Sequence, residues 1–205
     1  MTIPAPRLRR QARVAGSSRL DAAASLAEVS DAFHEPVSLA DPDPDWPSQY
    51  ATEAALIERE LAACDPLVEH IGSTAVPLRA KPIIDIQIAV REPDVPLTVD
   101  ALRGLAYEHH GRGGVPGREY LIKPPAEDPA FNVHVFAAGN PLLSSNRMIR
   151  DYLRAHPAAA REYGRIKQRA VEQGHLDLLS YSHAKDAHVA AIGEAAYAWT
   201  RRTQQ

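Results

Sequence analysis

The sequence predicts an α+β (α/β) fold: a mixed β-sheet flanked by helices, with a helical segment from about residue 144 onward. Three observations carry the prediction. Leu67-Val68 and Ile83 to Val90 are dense in the β-branched residues that suit strands, and the turn pair Gly72-Ser73 lies between them. Glu119 to Lys123 and Phe131 to Phe136 alternate apolar and polar residues, as half-buried strands do. Tyr50, Ala54, Ile57 and Leu61 recur at three- and four-residue spacing, the mark of an amphipathic helix.

Taken in chain order, residues 1–34 read as a peripheral extension, and residues 35–205 as one domain. Arg7, Arg9, Arg10, Arg13 and Arg19 stand in the first twenty residues without an acid. They fit either a tail that touches RNA or acidic surfaces or a solvated extension. Leu20 to Phe33 is Ala-rich and suits a helix. The Pro/Asp cluster from Asp41 to Pro47 can continue neither helix nor central strand, because its prolines remove donors and fix φ. A helix from Ser48 to Cys64 follows, with Glu53, Glu58 and Glu60 expected outward. After the strand–turn–strand unit comes a crossover helix from Val99 to Ala106, then a Gly/His-rich loop over Tyr107 to Gly117. Ser144 or Ser145 can cap a helix running to His156, Pro157 suits the first turn of the next, and Gly174 ends it. A last helix is expected from Tyr181 to Trp199.

The 205 residues, 45% of them hydrophobic, suffice for one full core. With 23 basic against 26 acidic residues and a net charge of −3, the chain is not a dedicated polyanion binder, which argues against a nucleic-acid partner. The single Cys64 excludes an intramolecular disulfide and a cysteine-based zinc site. No apolar run approaches the ~18 residues of a membrane span, and no apolar core follows the N-terminal arginines as a signal peptide requires. A cytoplasmic protein with no membrane partner is the expectation.

The segment Glu69 to Val90 holds the chemistry. Asp85 stands in the middle of an otherwise apolar strand, where a carboxylate needs a metal, a cation or several donors. Two readings of it are open: a divalent-metal ligand, or one half of a buried ion pair. Gly72 and Ser73 are either a phosphate-approaching turn at a helix N-terminus or an ordinary capped turn. Asn132 and His134 share one strand face and Val133 and Val135 the other, so His134 is either a third metal ligand or a hydrogen-bonded strand histidine. His70 is expected in the same neighbourhood. Lys81 is placed to reach a phosphate or to pair with Asp85. Arg118 and Lys123 flank a strand, and Arg147, Arg150 and Arg154 share one helical face; they grip an anionic ligand or pair with Asp151 and Glu162. Trp46, Trp199, Tyr152, Tyr163 and Tyr181 read as packing residues.

This segment resembles the nucleotidyltransferase superfold, in which a Gly-Ser turn approaches nucleotide phosphates and a D-x-D pair on the next strand holds metal. The wording from Glu69 to Pro77 and Ala80 to Ile86 is similar to the GrpB-like family, relatives of which are fused to dephospho-CoA kinase. Pro44 to Pro47, Phe131 to Val135, Arg150 to Pro157, Tyr163 with Lys167 and Tyr181 with Lys185 extend the resemblance over about residues 35–200. It implies a nucleotidyltransferase-like mixed sheet and a metal-dependent transfer of a nucleoside monophosphate from an NTP to a small acceptor. It further implies Asp85 and Ser73 as catalytic residues and Gly72, Ser73, Thr74, Lys81, Arg118, Lys123 and Arg150 as nucleotide-binding. Magnesium or manganese would sit on Asp85 and His134. The second carboxylate of the pattern falls at Gln87, a poorer ligand for a hard cation. That departure supports a second reading, a nucleotide- or CoA-type ligand-binding module without transfer chemistry. A third is acyl or amide formation on a repurposed site.

Overall fold

The computed structural model describes residues 38–124, 129–174 and 178–203. The N-terminal arginines and the expected Leu20–Phe33 helix lie outside the described residues, as do the side chains of His183 and Lys185. Five strands form one mixed sheet: β1 (Leu67–Ile71), β2 (Ile83–Val90), β3 (Glu108–His109), β4 (Arg118–Lys123) and β5 (Ala130–Ala137), in the spatial order β1-β2-β5-β4-β3. Only the β2–β5 pair is parallel, with Asp85 opposite Asn132 and Gln87 opposite His134. β1 runs antiparallel to β2, which sets Glu69 opposite Gln87 and Ile71 opposite Asp85.

Five helices flank the sheet among the described residues: α1 (Trp46–Glu60), α2 (Val95–Gly104), α3 (Pro141–Ala155), α4 (Pro157–Glu172) and α5 (Leu178–Thr203). Strand alternation divides β2 between two environments. Ile84, Ile86 and Ile88 are fully buried, as are Val133 and Val135 of β5, on the face that meets α1. Tyr50 of α1 donates to the Val68 carbonyl there at 3.1 Å and stacks on His70. The opposite face carries Glu69, Asp85, Gln87 and His134, and α3 packs over its β1 edge.

Local departures from the sequence reading have identifiable causes. α3 starts at Pro141 because Asn140 is the cap, its Oδ1 accepting from the Leu142 amide at 3.0 Å; Ser144 and Ser145 instead donate back to the Pro141 carbonyl. Glu53, expected outward, is buried because Tyr107 and Lys123 reach it. Residues 72–79 form turns and bends, with no regular helix. No helix of the described residues is long and apolar enough to cross a membrane.

Candidate functional site

Between the 71–73 turn, the open face of the sheet and helices α3–α5 lies a cleft of ≈ 350 Å³. Its polar end is made by Gly72, Ser73, Asp85, Arg118, His134 and Arg150. Leu142, Ile149, Leu153 and Val189 make the apolar side. The sheet supplies Asp85, Arg118 and His134, and the helices supply Asn146, Arg150 and Tyr163 together with most of the apolar wall.

Gly72 adopts φ +70°, and a Cβ there would fall 2.3 Å from Asp85 Oδ2. The close approach that demands glycine is made by the carboxylate itself. Asp85 accepts from Asn132 Nδ2 at 3.2 Å, and His134 Nε2 stands 3.5 Å from the same oxygen, Oδ1. On the other side of the ring, Arg118 Nη1 lies 3.2 Å from His134 Nδ1. A guanidinium only donates, so Nδ1 is the acceptor and the proton of a neutral imidazole sits on Nε2, facing Asp85. Arg118 also donates to the Gly113 carbonyl at 2.7 Å and lies 4.7 Å over the Tyr120 ring. Burial lowers its pKa below the usual guanidinium value, with Tyr120 and Asp85 opposing.

The fit to a divalent cation follows from these directions. His134 does not fit as a ligand in this arrangement, because the nitrogen facing Asp85 carries its proton and the other is held by Arg118. Gln87 is fully buried and fully engaged: its Nε2 donates to Glu69 Oε2 at 2.9 Å and to the Leu143 carbonyl at 3.2 Å, and its Oε1 accepts from Asn146 at 3.1 Å. Among the described residues, no group of three or more His, Cys, Asp or Glu side chains is placed to share one ion. Among the described residues, Asp85 is the one carboxylate lining the cleft.

The α3 arginines build the turn. Arg147 holds Glu69 through Nε at 2.8 Å, Arg150 donates to the His70 carbonyl at 3.1 Å, and Arg154 donates to the Ala75 carbonyl at 2.8 Å. The Arg147 guanidinium keeps the Glu69 carboxyl below the usual range against the opposing cost of burial. Arg150 also pairs with Asp151 at 2.7 Å, as expected, whereas Glu162 pairs with Arg165.

Several predicted site residues are placed elsewhere. Lys123 is on the opposite sheet face from Arg118, since it stands five positions further along the same strand, an odd offset; its Nζ meets buried Glu53 at 2.8 Å. Thr74 is buried and donates to the Ile83 carbonyl at 3.2 Å while receiving His70 Nε2 at 3.0 Å, so it pins the loop, and it is not among the described residues that line the cleft. His70 is on the α1 face, one residue out of phase with Asp85's face, and burial pushes its pKa down to about 4. Lys81 precedes β2 and does not line the cleft. Ser73 does line it, without the expected helix N-terminus behind it. Tyr163, read as a packing residue, lines the cleft beside Ser73; the only signal for it was its i, i+4 spacing from Lys167.

Residues 36–195 match the family described as GrpB protein. The chain is 35% identical to the UPF0157 protein YqkA of Bacillus subtilis over 65% of this chain and 39% of that one. It is 27% identical to the dephospho-CoA kinase of Mycolicibacterium paratuberculosis over 82% of this chain, and spans 48% of that protein. This chain thus covers under half the length of both relatives. The crystal structure of the conserved protein GrpB from Enterococcus faecalis superposes with a TM-score of 0.70 at 34% identity, covering 78% of this chain and 96% of that one. With the family match spanning most of the described domain, the chain belongs to the GrpB family.

Proposed function

We propose that the cleft binds a phosphate-bearing small molecule of the nucleotide or CoA type. The observation that carries this reading is a cleft in which Arg118 of the sheet faces largely apolar side chains of the helices. Its ≈ 350 Å³ is within the range of small-molecule sites. Arg150 is paired with Asp151 and Glu69, whereas Arg118 is held by the His134 ring and two backbone carbonyls, so the Arg118 guanidinium is the charge best placed to meet phosphate. The apolar wall of Ile149, Leu153 and Val189 suits a base or an acyl-like group.

Nucleotidyl transfer to a small acceptor is the second reading, favoured by Asp85 facing the cleft next to Gly72 and Ser73. In that reading Asp85 would share a magnesium or manganese ion with the phosphates of a bound NTP, and the ion would neutralise charge there. This chain's own contribution is to hold Asp85 in place: Asn132 donates to it, Gly72 leaves it room, and Arg118 fixes the His134 ring beside it.

Isothermal titration with ATP and with CoA, each with and without Mn²⁺, tests both readings. Binding of either ligand independent of Mn²⁺ is expected, and Arg118→Ala should weaken it at least several-fold. Absence of binding by both ligands under both conditions would refute the binding reading. Mn²⁺-dependent ATP binding accompanied by release of pyrophosphate would move the conclusion to transfer.

A further inference from the structure

Among the described residues, Tyr163 is the one phenol lining the cleft, half-buried on α4, and Ser73 of the turn lines it too. One helical turn further on, Lys167 is 2% exposed, and its Nζ lies 5.1 Å from the Tyr163 ring centroid. Burying an ammonium is costly, and an apolar side chain of similar length would fill the same volume more cheaply. A cation beneath a cleft-lining ring has an electrostatic consequence that a methionine would lack. It draws on the ring's negative face and strengthens the O–H as a donor toward an anion in the cleft.

Burial pushes the Tyr163 phenol up to about 12, with the neighbouring Ser73 hydroxyl acting to lower it and Asp85 to raise it. At neutral pH the phenol therefore keeps its proton.

We infer that Tyr163 is the neutral hydrogen-bond donor to a phosphate oxygen of the ligand, supported by Lys167 beneath its ring. The inference rests on the phosphate-ligand reading above and adds to it the residue that meets the anion from α4, across the cleft from Arg118. Ligand phosphate would then be met by a guanidinium from the sheet and a phenol from the helices.

The test is titration of wild type, Tyr163→Phe and Lys167→Met with ATP and with CoA, alongside the melting temperature of each ligand-free protein. Tyr163→Phe keeps the ring, its packing and the cation beneath it. It is expected to leave the ligand-free melting temperature unchanged and to weaken binding about tenfold, as loss of one hydrogen bond to a charged acceptor does. Lys167→Met leaves the phenol in place and is expected to weaken binding several-fold. Wild-type affinity in both variants overturns the inference while leaving the binding reading standing. If wild type itself binds neither ATP nor CoA, the binding reading falls and the inference falls with it.

Discussion

Each face of the sheet has a carboxylate with basic partners, buried Glu53 on α1 and half-buried Asp85 on β2, and the two sites are built to different ends. On the α1 face, Glu53 receives the Tyr107 hydroxyl at 2.9 Å and Lys123 Nζ at 2.8 Å, both on the same oxygen, and the cluster is enclosed between α1, β4 and the start of β3. On the other face, Asp85 receives Asn132 at 3.2 Å and faces His134 at 3.5 Å, while Oδ2 lies over Gly72 at the edge of an open cleft. The first arrangement saturates its charge with protein groups. The second holds its charge by longer contacts and leaves one side to solvent or ligand. Buried charge by itself therefore does not mark the site; incomplete partnering beside a cleft does.

The largest expected effect tests which positions on the cleft face belong to the scaffold. Gln87 is next to Asp85 on that face yet behaves like the enclosed cluster, with three hydrogen bonds and no exposure. The D-x-D pattern suggests that Gln87→Asp would restore a metal site. The structure reverses that expectation, because a shorter carboxylate here would lose its partners and lie near the Glu69 carboxylate. A loss of about 3–5 kcal/mol in urea denaturation is expected, the range for an uncompensated buried charge. A variant as stable as wild type would show that the Glu69–Gln87–Asn146 network is not the scaffold described.

Next in size is the closed cluster itself. Lys123→Met removes the cation and leaves Glu53 buried with Tyr107 alone, so about 2–3 kcal/mol should be lost, less than for a fully buried pair because Lys123 is partly exposed. ATP affinity should be unchanged, since Lys123 is on the far face. A selective loss of ATP binding with full stability would return Lys123 to the site and undo the contrast between the faces.

Much of this contrast was legible in the sequence. The alternation in β5 set Asn132 and His134 apart from Val133 and Val135, and Asp85 was conspicuous as a lone charge in an apolar run. The same rule applied to β4 separates Arg118 from Lys123. What the sequence did not disclose depends on pairing across chain distance. The β1–β2 register puts Glu69 opposite Gln87, and nothing local fixes it, because the strands are joined by the irregular 72–82 loop and no tight hairpin turn. Arg147, Arg150 and Arg154 were legible as one helical face, but that they grip the 69–75 stretch follows only from the docking of α3 on β1. Glu53 shares its helix with the exposed Glu58 and Glu60, and only the arrival of Tyr107 and Lys123 distinguishes it.

A smaller effect is expected from His70, whose burial on the α1 face holds its pKa down to about 4 from an ordinary 6.5. The unfolded chain binds this proton more readily than the folded one. Stability is therefore fully present above about pH 6.5 and declines as pH falls toward 4, by on the order of 1–2 kcal/mol at pH 5. His70→Gln can keep the hydrogen bond to Thr74 without titrating, so its melting temperature should fall less steeply than wild type between pH 6.5 and 4. Equal slopes in the two proteins would assign the acid sensitivity to other groups.

The smallest change in stability is expected at the open carboxylate, and there the comparison of faces is most sharply tested. Asp85→Asn keeps the side chain's shape over Gly72 and its acceptor oxygen for Asn132, while removing a charge that faces Arg118 and His134 at longer range. Burying an amide costs less than burying a carboxylate, so the gain in desolvation offsets the lost attraction and stability should change by no more than about 1 kcal/mol. A loss comparable to that of Lys123→Met would mean that Asp85 is a structural charge like Glu53. Binding separates the two readings of function at the same position. If phosphate is met by Arg118, Arg150 and Tyr163 alone, ATP should bind the variant as well or better, because a nearby negative charge is gone. If Asp85 shares a cation with the phosphates, Mn²⁺ should strengthen ATP binding in wild type, and that increment should disappear in Asp85→Asn.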